Sequence, residues 1–333
     1  MGKVDYGRPS EACSYKKLMS LTAFRTLISM GLVVCVAICP VFSFAGMTPE
    51  EISNFEIYKS KAAGGDPVSQ FKLGQCFEFG YGVAKDVRQA FVWYRKSAEQ
   101  GDRDAQGNLA VCYFNGTGVE KNLIQAVMWL HRAAEAGDVV SQRNLAICYF
   151  YGNGVPRDAV QSVNWYRKAA EKGDVLAQTD LGACYGKGDG VVKNLEQALY
   201  WTMKAAQGGH AQAQHNLATA YLNGPTYGVD RDLDQAFSWE SKAAEQGHVP
   251  AQIELARYYL YGAGIPKNEI EAYAYFNLAQ SRAKPADWSE EISRQVMDLQ
   301  KKLSREEIYL AQRRSAEIKK EIDAKKAAKK ASK

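Results

Sequence analysis

Four histidines among 333 residues leave little material for a metal centre. His131, His210, His215 and His248 form no H-E-x-x-H, and His210 and His215 are five apart, not the three or four that share a helix face. No Gly-rich phosphate loop is present, so neither a metal nor a cofactor is expected. Positive charge is missing where nucleic acid would need it. The net charge is +5, but residues 1–45 hold +3 and residues 319–333 hold +5, which leaves the body between them at −3. Phosphate binding requires a basic stripe, and a faintly acidic body does not supply one. Ser69 and Lys72 fit an S-x-x-K pattern, yet the S-D-N and K-T-G elements that accompany it in penicillin-recognising enzymes are absent. Ser69 also stands in a column with Ala105, Ala177, Ala213 and Ala251, so smallness explains it.

Long apolar runs are scarce too, with one exception. Lys16, Lys17 and Arg25 precede TLISMGLVVCVAICPVFSFAG, which ends in Ser43-Phe44-Ala45. A basic start, an apolar stretch and small residues at −3 and −1 describe a signal peptide over 1–45, with Gly46 as the mature N-terminus. The same pattern suits an uncleaved anchor, since Leu27 to Ala45 is just long enough to span. Met19 is an alternative start, and Ile38 before Cys39 argues against a lipoprotein.

The rest of the chain repeats itself. Gly65, Gly101, Gly137 and Gly173 open segments of 36 residues, Gly209 opens one of 38, and Gly247 opens a last one. In each, Gln recurs (70, 106, 142, 178, 214, 252), as does Leu (73, 109, 145, 181, 217, 255). Trp recurs at 93, 129, 165, 201 and 239, with Tyr275 in the sixth place. A fixed period in this range marks a solenoid. Each segment reads as two helices. Ser69, Leu73 and Phe77 with Cys76 make an apolar stripe on the first, and Ala90, Trp93, Tyr94 and Ser97 make one on the second. Glycines between them allow a tight reversal. Asp86, Asn122, Asp158, Asn194, Asp232 and Asn268 are N-cap residues, with Gln or Glu three positions on in the spacing of a capping box. Thr48-Pro49-Glu50-Glu51 is a capping box before a lone first helix. At the far end Asp287 and Glu290, then Ser304 and Glu307, start two capping helices, and AKKAAKKASK reads as a solvated or disordered tail.

This period, the G-x-G-[VI] turn, the following Asp/Asn and the A-x-x-W-Y…K-A-A run resemble the Sel1-like repeat family, a relative of the tetratricopeptide repeats. The stretch LGACYGKGDGVVKNLEQALYWTMKAAQGG at 181–209 is close to that pattern, and LSREEIYLAQRRSAEI looks like the family's final helix. The resemblance implies an all-α, right-handed α/α solenoid over 46–283, capping helices over 284–318 and a Lys-rich tail over 319–333. It also implies an exported bacterial adaptor, periplasmic or secreted, that binds a protein or peptide on its concave face in envelope signalling, assembly or host contact. Alternatives are a membrane-tethered periplasmic regulator and a cell-wall or β-lactam hydrolase with an unrecognised site. No small-molecule substrate is expected, and the basic tail offers contact to membrane or wall polymer.

Seven cysteines suggest disulfides at first, but Cys13, Cys35 and Cys39 lie in the N-terminal segment. Cys76, Cys112, Cys148 and Cys184 fall one per repeat, on helices about 8–10 Å apart. That exceeds the reach of a disulfide, so free core thiols are expected. Some members of the resembled family staple each repeat with a second Cys; this chain has none. The candidate binding residues lie on the first helix of each pair, which lines the concave face in solenoids of this type. One residue before the core Leu, the column reads Lys72, Asn108, Asn144, Asp180, Asn216, Glu254. Asn pairs with both polar groups of a peptide backbone, so a ladder of Asn suits an extended peptide, with Phe79, Tyr151 and Tyr261 flanking side-chain pockets. The competing reading is a polar residue at a solvated position. The fifth turn, NGPTYGVD at 223–230, is two residues longer than the others and is a further pointer to a contact.

Overall fold

The computed structural model describes residues 47–283 and 290–331. These form fifteen α-helices and, among the described residues, no strand. A lone α1 (Pro49–Ala63) precedes six helix pairs: α2 (Pro67–Phe79) with α3 (Val87–Glu99), α4 (Arg103–Asn115) with α5 (Leu123–Glu135), and α6 (Val139–Tyr151) with α7 (Ala159–Glu171). Then come α8 (Val175–Lys187) with α9 (Leu195–Gln207), α10 (Ala211–Asn223) with α11 (Leu233–Glu245), and α12 (Val249–Tyr261) with α13 (Glu269–Gln280). The chain closes with α14 (Glu290–Lys302) and α15 (Arg305–Ala331). Each repeat helix packs on the one before and the one after, which makes an all-α solenoid. No helix among the described residues is long and apolar enough to cross a membrane. The N-terminal segment 1–45 and Asp287 lie outside the described residues.

The joints are made by backbone chemistry that the sequence repeats. At the end of α3, Gly101 N–H bonds to Ala98 O (3.0 Å) and Asp102 N–H to Ser97 O (3.2 Å), a Schellman closure around a glycine at φ 93°. Asp102 then caps α4 by accepting from Ala105 N–H at 2.7 Å. One residue thus ends one helix and starts the next. The Leu column is buried to 2% exposure or less in all six repeats and forms the axis of the core. The Gln column turns out to be a joint as well. Each Gln Nε2 reaches eight residues back to a carbonyl near the end of the preceding helix, as Gln142 does to Ala134 O at 2.9 Å, a second bond to an oxygen that already accepts from the joint glycine, Gly137 N–H at 3.1 Å.

The six expected capping boxes are half right. Asp86 and its counterparts do accept from the N-terminal amides of the second helices. The reciprocal bond is not needed, because each N-cap N–H already donates to a carbonyl of the first helix, as Asp86 does to Phe77 O at 2.8 Å. Thr48 with Glu51, and Ser304 with Glu307, do form complete boxes. The second glycine of each turn has a role beyond reversal. A Cβ on Gly118 would lie 2.1 Å from Val87 O, and one on Gly154 would lie 2.3 Å from Leu123 O. These glycines seat each turn on the start of the preceding repeat's second helix.

The Lys-rich end is solvated as expected but helical: it forms the last turns of α15, which run to Ala331, and of residues 319–331 all but Ile322 are exposed. Ala311, Ser315, Ile318 and Ile322 form one buried stripe on this helix, and Ile318 and Ile322 pack on Leu278 and Tyr275 of α13. In the first five repeats a Lys or Arg stands where Leu278 does and lies over the repeat's Trp, as Lys168 does over Trp165 at 3.8 Å. Replacing that cation with Leu278 gives α15 an apolar seat.

Candidate functional site

The polar column on the first helices is half-buried throughout, and most of it is already engaged within the chain. Lys72 Nζ donates to Gln75 Oε1 at 3.2 Å, away from Ser69. Asn108 bonds to the Tyr94 hydroxyl. Asp180 bonds to the Tyr166 hydroxyl, and its burial pushes the carboxyl up to about 6 against the pull of that bond and of Arg143. Asn216 Oδ1 accepts from Gln212 at 2.9 Å, and Glu254 pairs with Arg257. Asn144 has no side-chain partner among the described residues. Phe79, Tyr151 and Tyr261 close their helices and are more than half exposed, with Tyr261 accepting from Gln295 at 3.0 Å. They stand two or more repeats apart and do not converge.

The cysteine column is buried and free of disulfides. Burial raises these thiols, to about 12 at Cys112 and about 11 at Cys148 and Cys184, which leaves them poor nucleophiles.

Convergence occurs instead between repeats four and five. A cavity of about 590 Å³ opens between α8, α9 and α10, within the range of pockets that hold small ligands or side chains. Comparison of the repeats explains why it forms here. Where Gly186 stands, the other copies carry Glu78, Phe114, Phe150, Leu222 and Leu260. Where Thr202 stands they carry Tyr94, Leu130, Tyr166, Glu240 and Phe276. Ala183 replaces Gln75, Val111, Ile147, Thr219 and Arg257. Three truncations face one space, and a Cβ on Gly186 would meet only the Ala198 methyl, at 3.7 Å. The longer fifth turn supplies one wall through Thr226 and Tyr227. Asn216 lines the cavity, the one member of the polar column to do so, and Lys187 stands at its edge.

His215 also lines it. Its Nδ1 lies 2.6 Å from Oε1 of Glu240, a carboxyl only 2% exposed. Burial raises Glu240 to about 7, opposed by the histidine. His248 lies beside His215, with ring centroids 5.3 Å apart and the planes tilted by 44°. His248 caps α12, its Nδ1 accepting from Ala251 N–H at 3.3 Å while Nε2 meets Gln212 Oε1 at 3.0 Å. Burial, then the neighbouring histidines, lowers it to about 4, which keeps it neutral for that role. His210 does not repeat the cap. The Thr179 hydroxyl donates to Val175 O, so Nδ1 of His210 carries the proton and donates to Thr179 at 2.8 Å. Among the described residues no set of three or more His, Cys, Asp or Glu is grouped to hold a metal. The Thr219 hydroxyl donates to His215 O within its own helix and is not poised as a nucleophile.

Helix pairs of fixed length, stacked through capped joints, define an α-helical repeat solenoid. The model of the Sel1 repeat matches residues 67–102, 103–138, 139–174, 175–210, 211–248 and 249–279, and the chain belongs to this family. A Sel1 repeat protein from Oxalobacter formigenes is 33% identical over 67% of this chain and 90% of its own, with a TM-score of 0.61. The protective antigen c5321 of uropathogenic Escherichia coli, which displays an SLR fold, is 25% identical over 83% of this chain and 81% of its own, with a TM-score of 0.44. Immunity protein Pa5087 from Pseudomonas aeruginosa is 20% identical over 73% and 85%, with a TM-score of 0.40. The search of curated proteins finds no match. Sel1 repeat proteins generally mediate protein–protein interaction, and the family is generally non-catalytic.

Proposed function

We propose that this protein is a non-enzymatic, exported scaffold that holds a segment of a protein partner on its first-helix face, centred on repeats four and five. The observation that carries this reading is the cavity. It is built by three residues that depart from the repeat and walled by the one turn that departs in length. A solenoid needs none of these departures to fold, since the other copies manage without them. Export is supported by the N-terminal charge and apolar pattern, and the envelope is then the place to seek the partner. The His215–Glu240 pair favours a second reading, a hydrolase, because a carboxylate-held imidazole is a general base. That reading lacks a hydroxyl or thiol bonded to the imidazole among the described residues.

The test is photo-crosslinking in the source organism, with the crosslinker at Tyr227 on the cavity wall or, as a control, at Ile124 on the exposed side of α5. A discrete adduct from Tyr227 alone supports the reading. Adducts of equal yield from both positions, or none from either, refute it.

A further inference from the structure

The cavity's lining names the chemistry of its occupant. No Asp or Glu lines it, whereas Lys187 and Lys193 do. Neither lysine forms an ion pair among the described residues, although the chain forms many such pairs elsewhere. Leu195, Ala198 and Leu199 line the same cavity, together with Gly186 and Thr202, where other copies carry larger side chains. Asn216 offers an amide at the side, where Gln212 occupies only its oxygen. Two unpaired cations and an apolar lining at one cavity select a ligand that carries negative charge beside an apolar group.

We infer that the cavity takes an acidic dipeptide step of the partner: an Asp or Glu reaching Lys187 and Lys193, with an adjacent aromatic or large aliphatic side chain filling the recess beside Gly186. This inference rests on the scaffold reading above and specifies what the scaffold grips. Size supports it. Four of the five other copies carry Phe or Leu where Gly186 stands, and four of the five carry Tyr, Phe or Leu where Thr202 stands, so the recess is complementary to a partner residue of that class. The charge of the site adds selectivity, since a Lys in the partner would face two like charges.

The test is methyl NMR on the full chain labelled at Ala and Thr, reading Ala183, Ala198, Thr202 and Thr226. The probes are blocked Gly-Phe-Glu-Gly, its Gln and Lys analogues, and 3-phenylpropanoate as a free acid of the same chemistry. The Glu peptide is expected to shift these methyls with an affinity roughly tenfold or more above the Gln and Lys peptides. Gly186→Leu, which restores the residue of repeats five and six, is expected to abolish the shifts. The variant should fold, because Leu is a better helix former than Gly, and circular dichroism checks it. Lys187→Glu with Lys193→Glu should turn the preference toward the Lys peptide. Equal response to Glu and Gln peptides, persistence of the shifts in Gly186→Leu, or no response to any peptide would overturn the inference. So would binding of phenylpropanoate as tight as that of the peptide, which would make the site one for small acids. The two readings fail separately. A partner crosslinked at Tyr227 without peptide selectivity leaves the scaffold and removes the acidic step, while selective peptide binding without any crosslinked protein does the reverse.

Discussion

Asp180 stands in a column where three other repeats carry Asn, and it is the member whose ionisation works against the fold. Its burial raises the carboxyl to about 6 from an ordinary 3.8. Between those values the folded chain binds more protons than the unfolded one, so stability falls as pH rises through the window and the whole deficit is present above it. Asp180→Asn keeps a partner for Tyr166 and removes the charge. Its urea midpoint should exceed that of the parent above about pH 6.5, by roughly 1–3 kcal/mol in stability, and the two should meet below about pH 4. Equal midpoints at neutral pH would contradict the account. Glycines at the joints give a second contrast. Gly101 and Gly118 both have positive φ, but a Cβ on Gly101 meets nothing within 4 Å, while one on Gly118 runs into Val87 O. Gly101→Ala should cost about 1–2 kcal/mol, the price of a left-handed alanine. Gly118→Ala should cost clearly more, because two repeats must also move apart, and calorimetry of both variants compares them.

Helices and their ends were legible in the sequence because cap residues, the glycines and the Trp and Leu columns carry local rules that neighbours do not override. Residues whose partners come from another element were not. The Gln column was visible as a repeat, yet its reach to a carbonyl eight residues back depends on how one helix docks on the next. The lysine tail read as solvated or disordered from composition; its exposure was legible, but its helix was not, since nothing local shows that Ile318 and Ile322 find Leu278. The signal that could have shown it was the exchange of a Trp-stacking cation for Leu278 in the sixth copy. Burying those two isoleucines contributes about 1.5–3 kcal/mol each. Deleting residues 317–333 should therefore speed amide exchange in α13 while leaving α4 to α7 protected, as expected where each repeat contacts only its neighbours. Uniform loss of protection would contradict this, and so would no loss.

At the scale of the molecule, five of the six turns obey one length and one differs, and five of the six copies fill the space that the fourth leaves open. Asn216 and the 223–230 turn were both legible as candidates, and they meet at the cavity. Lys72, Asn108, Asp180 and Glu254 engage partners of their own chain, which the column's spacing could not reveal. Gly186, Thr202 and Ala183 escaped notice because each is an unremarkable residue; only their convergence on one space gives them meaning. The measurement that tests this most directly is crosslinking from Tyr227 repeated in the Gly186→Leu background. A discrete partner adduct is expected in the parent, with its loss in the folded variant and no adduct from Ile124 in either. An adduct that survives the filling of the cavity would show that the partner is held elsewhere on the solenoid.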